Sequence, residues 1–447
     1  MAINNPYVPG DPYSYDLKWI VAKVKEILLQ LGTLDDAIEQ KIFEGFLEHS
    51  IVQFHNVPDM LAADMKDGSI VLTLGYHEPG DQGGLFYLVK NFNPSQCALD
   101  YFLTMDNNAQ IAIPIFMEEY VTPQMYGAKA DDETDAADYF ELALENGKNV
   151  YLPEGKYYCS RPVEIKREGT VLYGSGVEDR NSVIRVEGTN AITIASGYRG
   201  IIVKDLYMIT NSYQGAAIEI SKTSDSPEGS VHFLTVENII AINFKYGLLL
   251  GGHSTGTADG STYFWNCSFK NIKLNTLDTG TNCAIKIFYN VATSFGLYFE
   301  RVITIGYKTV LEGDAFRAIF ESCNFGINST SAFVIGTVSS AAFRGTNFEC
   351  DSYVTGTLNA SLVYSTYITI FENCTFVSRT DANTAFFGGG TYSKFSFKGC
   401  QKKSGTGDNM ALFFSPAFSG KKYSIEYLGG NIDLPRPTLG QNRSLQI

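Results

Sequence analysis

The chain has 447 residues and a mass of 49.2 kDa, room for two or three domains or one long repetitive one. Hydrophobic residues make up 45% and charged residues 18%, so there is ample apolar surface to bury and the chain is not a disordered one. The formal net charge of −14 argues against nucleic acid and against a polybasic membrane contact, both of which need a basic face.

With 42 Gly, 30 Phe and 27 Tyr but only 14 Pro, the composition leans towards β structure in many short segments. Met1 to Pro12 lacks the apolar core of a signal peptide. No apolar run approaches the ~20 residues that a membrane helix needs, so membrane insertion is not expected. Residues 1–14 read as extended, and helical periodicity begins near Asp16. Ile20, Val24, Ile27, Leu31, Leu34 and Ile38 follow spacings of 4, 3, 4, 3 and 4, an a/d seam interrupted at Gly32-Thr33, where Thr33 is placed to cap a second helix. The seam fits a helix pair on a globular core or a short parallel coiled coil joining several chains, with room for a trimer.

Residues 51–119 read as a small β-rich module. Asp67-Gly68, Pro79-Gly80 and Gln82-Gly83-Gly84 are turn signals between short apolar runs. His77, Glu78 and Asp81 sit within these turns and are read as solvated turn residues, not as metal ligands. From Val121 an acidic run, Asp131-Asp-Glu-Thr-Asp135, precedes a short helix over Ala136–Glu145 with Tyr139, Phe140 and Ala143 on one face. The run lacks the alternation and closing Glu of a calcium loop, so it is read as helix N-terminal charge opposing the macrodipole. Val150 to Tyr158 then reads as strand, turn and strand.

The run Tyr126-Gly-Ala-Lys-Ala-Asp-Asp-Glu-Thr-Asp135, followed by Asn149-Val-Tyr-Leu-Pro-Glu-Gly-Lys-Tyr-Tyr158, resembles the opening of the pectate-lyase-like β-helix proteins of bacteriophage tails. Gly68–Val89 resembles a small module often found before that β-helix, and Asn4–Ile27 looks like the virion-proximal opening of tail fibres from phages of Gram-positive hosts. Together these stretches cover about the first third of the chain.

The rest carries an internal repeat. Phe264-Trp-Asn-Cys-Ser-Phe269, Phe320-Glu-Ser-Cys-Asn-Phe325, Phe343-Arg-Gly-Thr-Asn-Phe348 and Phe371-Glu-Asn-Cys-Thr-Phe376 share one frame; Phe397-Lys-Gly-Cys400 begins another copy, and Val236–Ile239 and Phe299–Val302 fit more loosely. Starts separated by 35, 21, 23, 28 and 26 residues predict coils of a right-handed, single-stranded parallel β-helix with variable loops. The first aromatic and the Cys three residues on point inward, and Asn, Ser or Gly occupies the bend. Cys267, Cys323, Cys374 and Cys400 are then expected in one interior column. All eight Cys stand singly, without CxxC pairs, and read as reduced, buried residues instead of disulfides or zinc ligands.

In this frame the residue after the first aromatic forms an outward column: Glu237, Trp265, Glu300, Glu321, Arg344, Glu372 and Lys398. Glu300 and Glu321 on adjacent coils stand ~4.8 Å apart at the backbone, near the ~5 Å separation of a retaining glycosidase. Two carboxylates that close push their pKa values apart and supply an acid and a base. The competing reading is an ordinary surface charge ladder neutralised by Arg301, Arg344 and Lys398. Glu349 and Asp351, on one strand face ~7 Å apart, are a second pair, near the separation for inversion through a water. The Gly/Ser/Thr-rich insertion after Gly251 offers His253 and Asp259 as base and orienter or as substrate-binding residues, against a plain polar loop. Trp265, Tyr298 and Tyr367 are outward aromatics for sugar stacking or subunit packing. No cofactor and no metal site is implied.

The expected organisation is an N-terminal attachment segment (1–50), a small β module (51–119), a mainly β, parallel β-helix domain with a capping helix (120–427), and a C-terminal tail (428–447). The resemblance implies a phage tailspike or tail appendage. It would be made in the bacterial host cytoplasm and located in the virion tail as a homotrimer. Its N-terminus would join other virion proteins and its β-helix would bind a bacterial surface glycan. Cleavage of that glycan, by a hydrolase before a lyase, stands beside a non-enzymatic receptor-binding protein or a structural virion protein of the same fold.

Overall fold

A computed structural model describes residues 51–447 except 93–98, 100, 117–118, 178–179, 224–228, 254–261, 278–281, 289–294, 315–316, 328–333, 338–340, 351–357, 360–368, 379–384, 388–391, 405–411, 415–421, 431–443 and 447. The Ile20–Ile38 seam, Asp259, Asp351 and Tyr367 lie outside the described residues. Among the described residues no helix is long and apolar enough to cross a membrane. The chain divides into two compact units. One runs to Ala130 and includes Asp138–Pro153; the other comprises Asp131–Ala137 and everything from Glu154.

In the first unit, strands Val52–Phe54, Ile70–Thr73, Phe86–Asn91, Leu103–Thr104 and Gln110–Ile115 form one sheet. Val52 pairs in parallel with Val71, and the remaining pairings are antiparallel. Asp81 is the turn residue the sequence suggests. Its carboxylate accepts from the backbone N–H groups of Tyr76, His77, Glu78 and Gly83 at 2.7–3.2 Å. The Tyr126-Gly127-Ala128 motif has a packing cause. Tyr126 is buried against Tyr101 and Phe116, with ring centroids 4.7 and 5.8 Å away. Gly127 turns the chain at φ +109°, where a Cβ would stand 2.9 Å from the Tyr76 ring.

The acidic run departs from its expected role. Asp131–Asp135 is a strand. Asp135 touches the helix start, accepting from Ala137 N at 3.1 Å, and it also holds Ser160. Asp132 binds the Arg185 guanidinium, which lies 4.5 Å over the Tyr158 ring. The helix, Ala137–Asn146, buries Phe140, Ala143 and Leu144.

The second unit is a parallel β-helix. One ladder runs from Leu172 to Val203, Val236, Phe269, Phe299, Phe320, Phe343, Phe371 and Phe397, each residue in parallel register with the next. Another side is the parallel sheet through Val163–Ile165, Ile192–Ala195, Ala216–Ser221, Tyr246–Leu250, Cys283–Ile287 and Thr309–Asp314. Strand Ser444–Gln446 returns in parallel beside Ser424–Glu426, so the end of the chain extends the sheet.

Every member of the first ladder is fully buried. Register therefore sets the core, because identical side chains one coil apart must pack on one another. The six phenylalanines stack with centroids 4.7–5.0 Å apart and ring planes within 6–13°. That spacing matches the ~4.8 Å strand separation. Phe348 and Phe376 form a second stack at 5.0 Å and meet the first edge-on.

One difference from the sequence frame matters. Phe299 stacks on Phe269, not on Phe264, which pairs with Val231 instead. Strand Tyr263–Asn275 contains two bends, Phe264-Trp-Asn-Cys267 and Phe269-Lys-Asn-Ile272, and only the second joins the ladder. Trp265 therefore leaves the Glu237–Glu300 column, where Lys270 takes its place. Cys267 likewise leaves the column of Cys323, Thr346, Cys374 and Cys400.

Each bend turns on a residue with positive φ: Asp205, Asn238, Asn271, Arg301, Ser322, Gly345, Asn373 and Gly399 follow one another along the ladder. The residue after the bend then closes it. Cys323, Thr346, Cys374 and Cys400 donate to the carbonyls of Phe299, Phe320, Phe343 and Phe371 one coil back, at 3.3–3.7 Å. This gives Cys323, Cys374 and Cys400 a role as single residues, each a small donor to the coil before, at a position that Leu206, Ile239, Ile272 and Val302 fill on the earlier coils. Burial pushes the Cys323 thiol up to about 12 and that of Cys267 up to about 11.

Two outcomes are expected. Phe343→Ala should cost about 3–5 kcal/mol, read as a lowered denaturant midpoint, whereas a cost below about 1 kcal/mol would show that the stack does not carry the core. Cys267 and Cys323 should resist alkylation in native protein and react after unfolding, as mapped by peptide mass spectrometry. Rapid native labelling would contradict their place in the wall.

Candidate functional site

The outward column beside the phenylalanine ladder reads Lys204, Glu237, Lys270, Glu300, Glu321, Arg344, Glu372 and Lys398, one residue per coil. Signs alternate along it except at one step. Glu300 and Glu321 are direct register partners, as the 21-residue spacing predicts, and bring two carboxylates together on neighbouring strands. Elsewhere opposite charges pair, as where Glu372 meets Lys398 at 2.7 Å and Arg344 at 3.7 Å. These exposed pairs contribute little to stability individually, but they fix which charge follows which.

The like-charged step carries its own supports. Arg301, on the left-handed bend, ion-pairs with Glu300 at 2.7 Å and donates from Nε to Asn271 Oδ1 at 2.5 Å. Tyr298 lies two residues before Glu300 on the same strand, so its side chain shares that face. Its phenol donates to Glu321 Oε2 at 2.7 Å. That hydrogen bond first, then desolvation and the two carboxylates, push the Tyr298 hydroxyl up to about 12, so it stays a donor at neutral pH. Lys270 lies 5.9 Å from the Tyr298 ring centre. The result is a half-buried cluster of two carboxylates, one phenol and two cations, able to hold a polar ligand and to exchange protons with it. Tyr298 entered the sequence reading only as an outward aromatic. Its position two residues before a register-paired Glu was the signal for its role here.

The other candidates fall elsewhere. Glu349 is half-buried beyond the Gly345 bend, in register with Gly326 and Val377, and does not join Glu300 and Glu321. Trp265 is 37% exposed and stacks on His232, with centroids 5.9 Å apart and planes at 5°. His253 meets an acid, but the acid is Glu219, with Nδ1 3.4 Å from Oε1. Glu219 is only 4% exposed and also accepts from Asn190 Nδ2 and Ser221 Oγ, both at 2.8 Å. Sequence reading missed Glu219. Its signal was a single acid inside the apolar strand Ala216-Ala-Ile-Glu-Ile-Ser221.

No family model matches the chain. A stretch of 65 residues is 43% identical to the pre-neck appendage protein of Bacillus phage phi29, covering 14% of this chain and 7% of that protein. Among solved structures, the tailspike protein of Acinetobacter phage vB_ApiP_P1 superposes with a TM-score of 0.57 at 16% identity, over 84% of this chain and 73% of that one. Tailspike protein 2 of an Escherichia coli O157:H7 bacteriophage superposes with a TM-score of 0.54 at 13% identity, over 86% and 52% of the two chains. The chain shares the parallel β-helix fold of phage tailspikes and a short run of sequence with a phage appendage.

The Tyr298 interaction has a pH signature. Its folded-state pKa is raised above the ordinary tyrosine value near 10, so the stabilisation it gives is complete below pH 10 and is lost as pH climbs towards about 12. Tyr298→Phe should therefore lose less stability between pH 9 and pH 11 than the parent chain, measured by denaturant midpoints. Equal losses in the two proteins would remove the phenol–carboxylate bond from the site.

Proposed function

We propose that this chain is a bacteriophage tail appendage whose β-helix binds a bacterial surface polysaccharide and hydrolyses it at Glu300 and Glu321. The observation that carries the enzymatic part is the one like-charged step in an otherwise alternating ladder, at a spacing that suits a retaining glycosidase. In this reading Glu300, ion-paired with Arg301, is the charged carboxylate that attacks the anomeric carbon. Glu321, held by the Tyr298 phenol, is the acid that protonates the leaving oxygen and then activates water. Trp265 offers an exposed aromatic face on the coil before Glu300, suited to stacking a sugar ring. Glu349, Asp351, His253 and Asp259 are auxiliary candidates for the same polymer.

The proposal includes a homotrimer in the virion tail, joined to other tail proteins through the N-terminal segment and made in the host cytoplasm. Exposed Ile303 and Ile305, alternate residues of one strand, are apolar surface of the kind that self-association covers. A second reading, a non-enzymatic receptor-binding protein, draws on the Arg301–Glu300 and Glu372–Lys398 pairs, which make the same carboxylates part of a structural ladder.

Purified protein incubated with surface polysaccharide from candidate hosts should release new reducing ends without unsaturated-uronate absorbance. Glu300→Gln and Glu321→Gln should each reduce release by about 10²–10⁴-fold while binding persists. Uronate absorbance would overturn the hydrolytic mechanism. Binding without any release would establish the second reading.

A further inference from the structure

A second column of outward residues runs beside a different bend. Arg199 is bridged in parallel to His232, and His232 is in register with Trp265. The three side chains thus stand on consecutive coils, ~4.8 Å apart at the backbone, and project the same way. His232 lies flat beneath Trp265 and is held by Ser230 Oγ at 3.1 Å. Arg199 is exposed and, among the described residues, makes no ion pair.

The bend itself carries the stronger sign. Successive coils turn there on Gly169, Gly200, Phe233, Asn266 and Gly296, all at positive φ. Glycine and asparagine suit that conformation; a bulky phenylalanine does not. Phe233 adopts it at φ +56° and is nonetheless 58% exposed, so burial does not offset the strain. Its ring centroid is 6.2 Å from that of His232. Strain kept for an aromatic ring that faces solvent points to a ligand.

We propose that Arg199, His232, Phe233 and Trp265 form a glycan-binding track on the coils before the Glu300–Glu321 cluster, taking a polymer whose sugar rings bear an anionic substituent. Trp265 and Phe233 offer faces for the rings, His232 positions the indole, and Arg199 meets the oxyanion, carboxylate or phosphate, with its planar fork. Glu168 lies on the coil before, where Gly169 N donates to the Arg199 carbonyl, and no ion pair joins Glu168 to Arg199 among the described residues; with a net charge of −14, binding of a polyanion needs local cations such as this one. The inference rests on the polysaccharide-binding reading but not on cleavage.

The test uses the full chain and three immobilised probes: a polyuronate, a phosphodiester-linked glycan and neutral dextran. The parent protein should retain one or both anionic probes over dextran, and which one it retains identifies the oxyanion. Phe233→Gly suits the left-handed bend, so it should keep or raise the melting temperature while weakening binding about tenfold. Trp265→Ala should weaken it at least as much. Arg199→Gln should erase the preference for the anionic probe and the salt dependence of binding.

Three results would overturn the track: equal binding by the variants, preference for dextran, or a change of oligomeric state in Phe233→Gly, which would make this surface an interface between copies of the chain. Host-cell adsorption separates the two levels. Parent protein that adsorbs, with variants that adsorb equally, removes the track alone. Parent protein that neither adsorbs nor retains any probe removes the polysaccharide reading with it.

Discussion

Parallel in-register stacking governs the second unit of this chain. Each residue of a coil stands ~4.8 Å from the residue at the same position one coil on, so a side chain is selected against its own column as much as against its strand. An inward column must tolerate repetition of one shape, and flat phenylalanine rings do so from Phe269 to Phe397 where aliphatic residues serve before them. The bend column must tolerate repetition of a left-handed backbone, which Asn, Asp, Ser and Gly supply. The same demand reaches side chains: a Cβ at Gly399 would stand 2.4 Å from Asn373 Oδ1, so this placement of the Asn373 amide leaves no room for a side chain at Gly399.

An outward column must tolerate repetition of charge, and alternation is the simplest answer. Like charges at this spacing repel unless neighbours compensate. Between Lys204 and Lys398 the rule fails once, at Glu300 and Glu321, and there the chain supplies Arg301 and the Tyr298 phenol. Arg301 is itself unusual, since every other residue of that bend ladder is Asp, Asn, Ser or Gly. The cation that compensates Glu300 thus occupies a backbone conformation that does not favour it, and one departure from the column rules is met by another beside it.

The parallel fold was legible because from Phe320 to Phe397 its repeat recurs in one short frame: an aromatic, a charged residue, a bend former and a small donor. The register was less legible. Phe264-Trp-Asn-Cys267 satisfies that pattern better than Phe269-Lys-Asn-Ile272, yet the latter stacks on Phe299. Both bends lie on one strand, and only the count of residues around the following coil separates them. The Glu300–Glu321 step survived this error because it lies downstream of it. Glu219 escaped notice for another reason. Its partners Asn190 and Ser221 come from the coil before and from its own strand, and His253 lies 34 residues further on, so no local motif unites them.

These observations give a physical criterion for function in such a repetitive fold. Stability alone asks each column to follow its own rule, repetition inside and at the bend and alternation of charge outside, because a member that suits its neighbours lowers the energy of both. A residue that violates its column, without burial or pairing to offset the cost, has to be explained by something outside the coil. Glu300 and Glu321 meet this test only in part, since Arg301 and Tyr298 absorb much of the repulsion. Phe233 meets it fully, because glycine at that bend would relieve the backbone and expose less apolar surface. The departures sit on consecutive turns, Phe233 one coil before Trp265 and Trp265 one coil before the strand of Tyr298 and Glu300. A ligand long enough to cross several coils is the kind of partner that would act on all of them together, and a polysaccharide chain has that length.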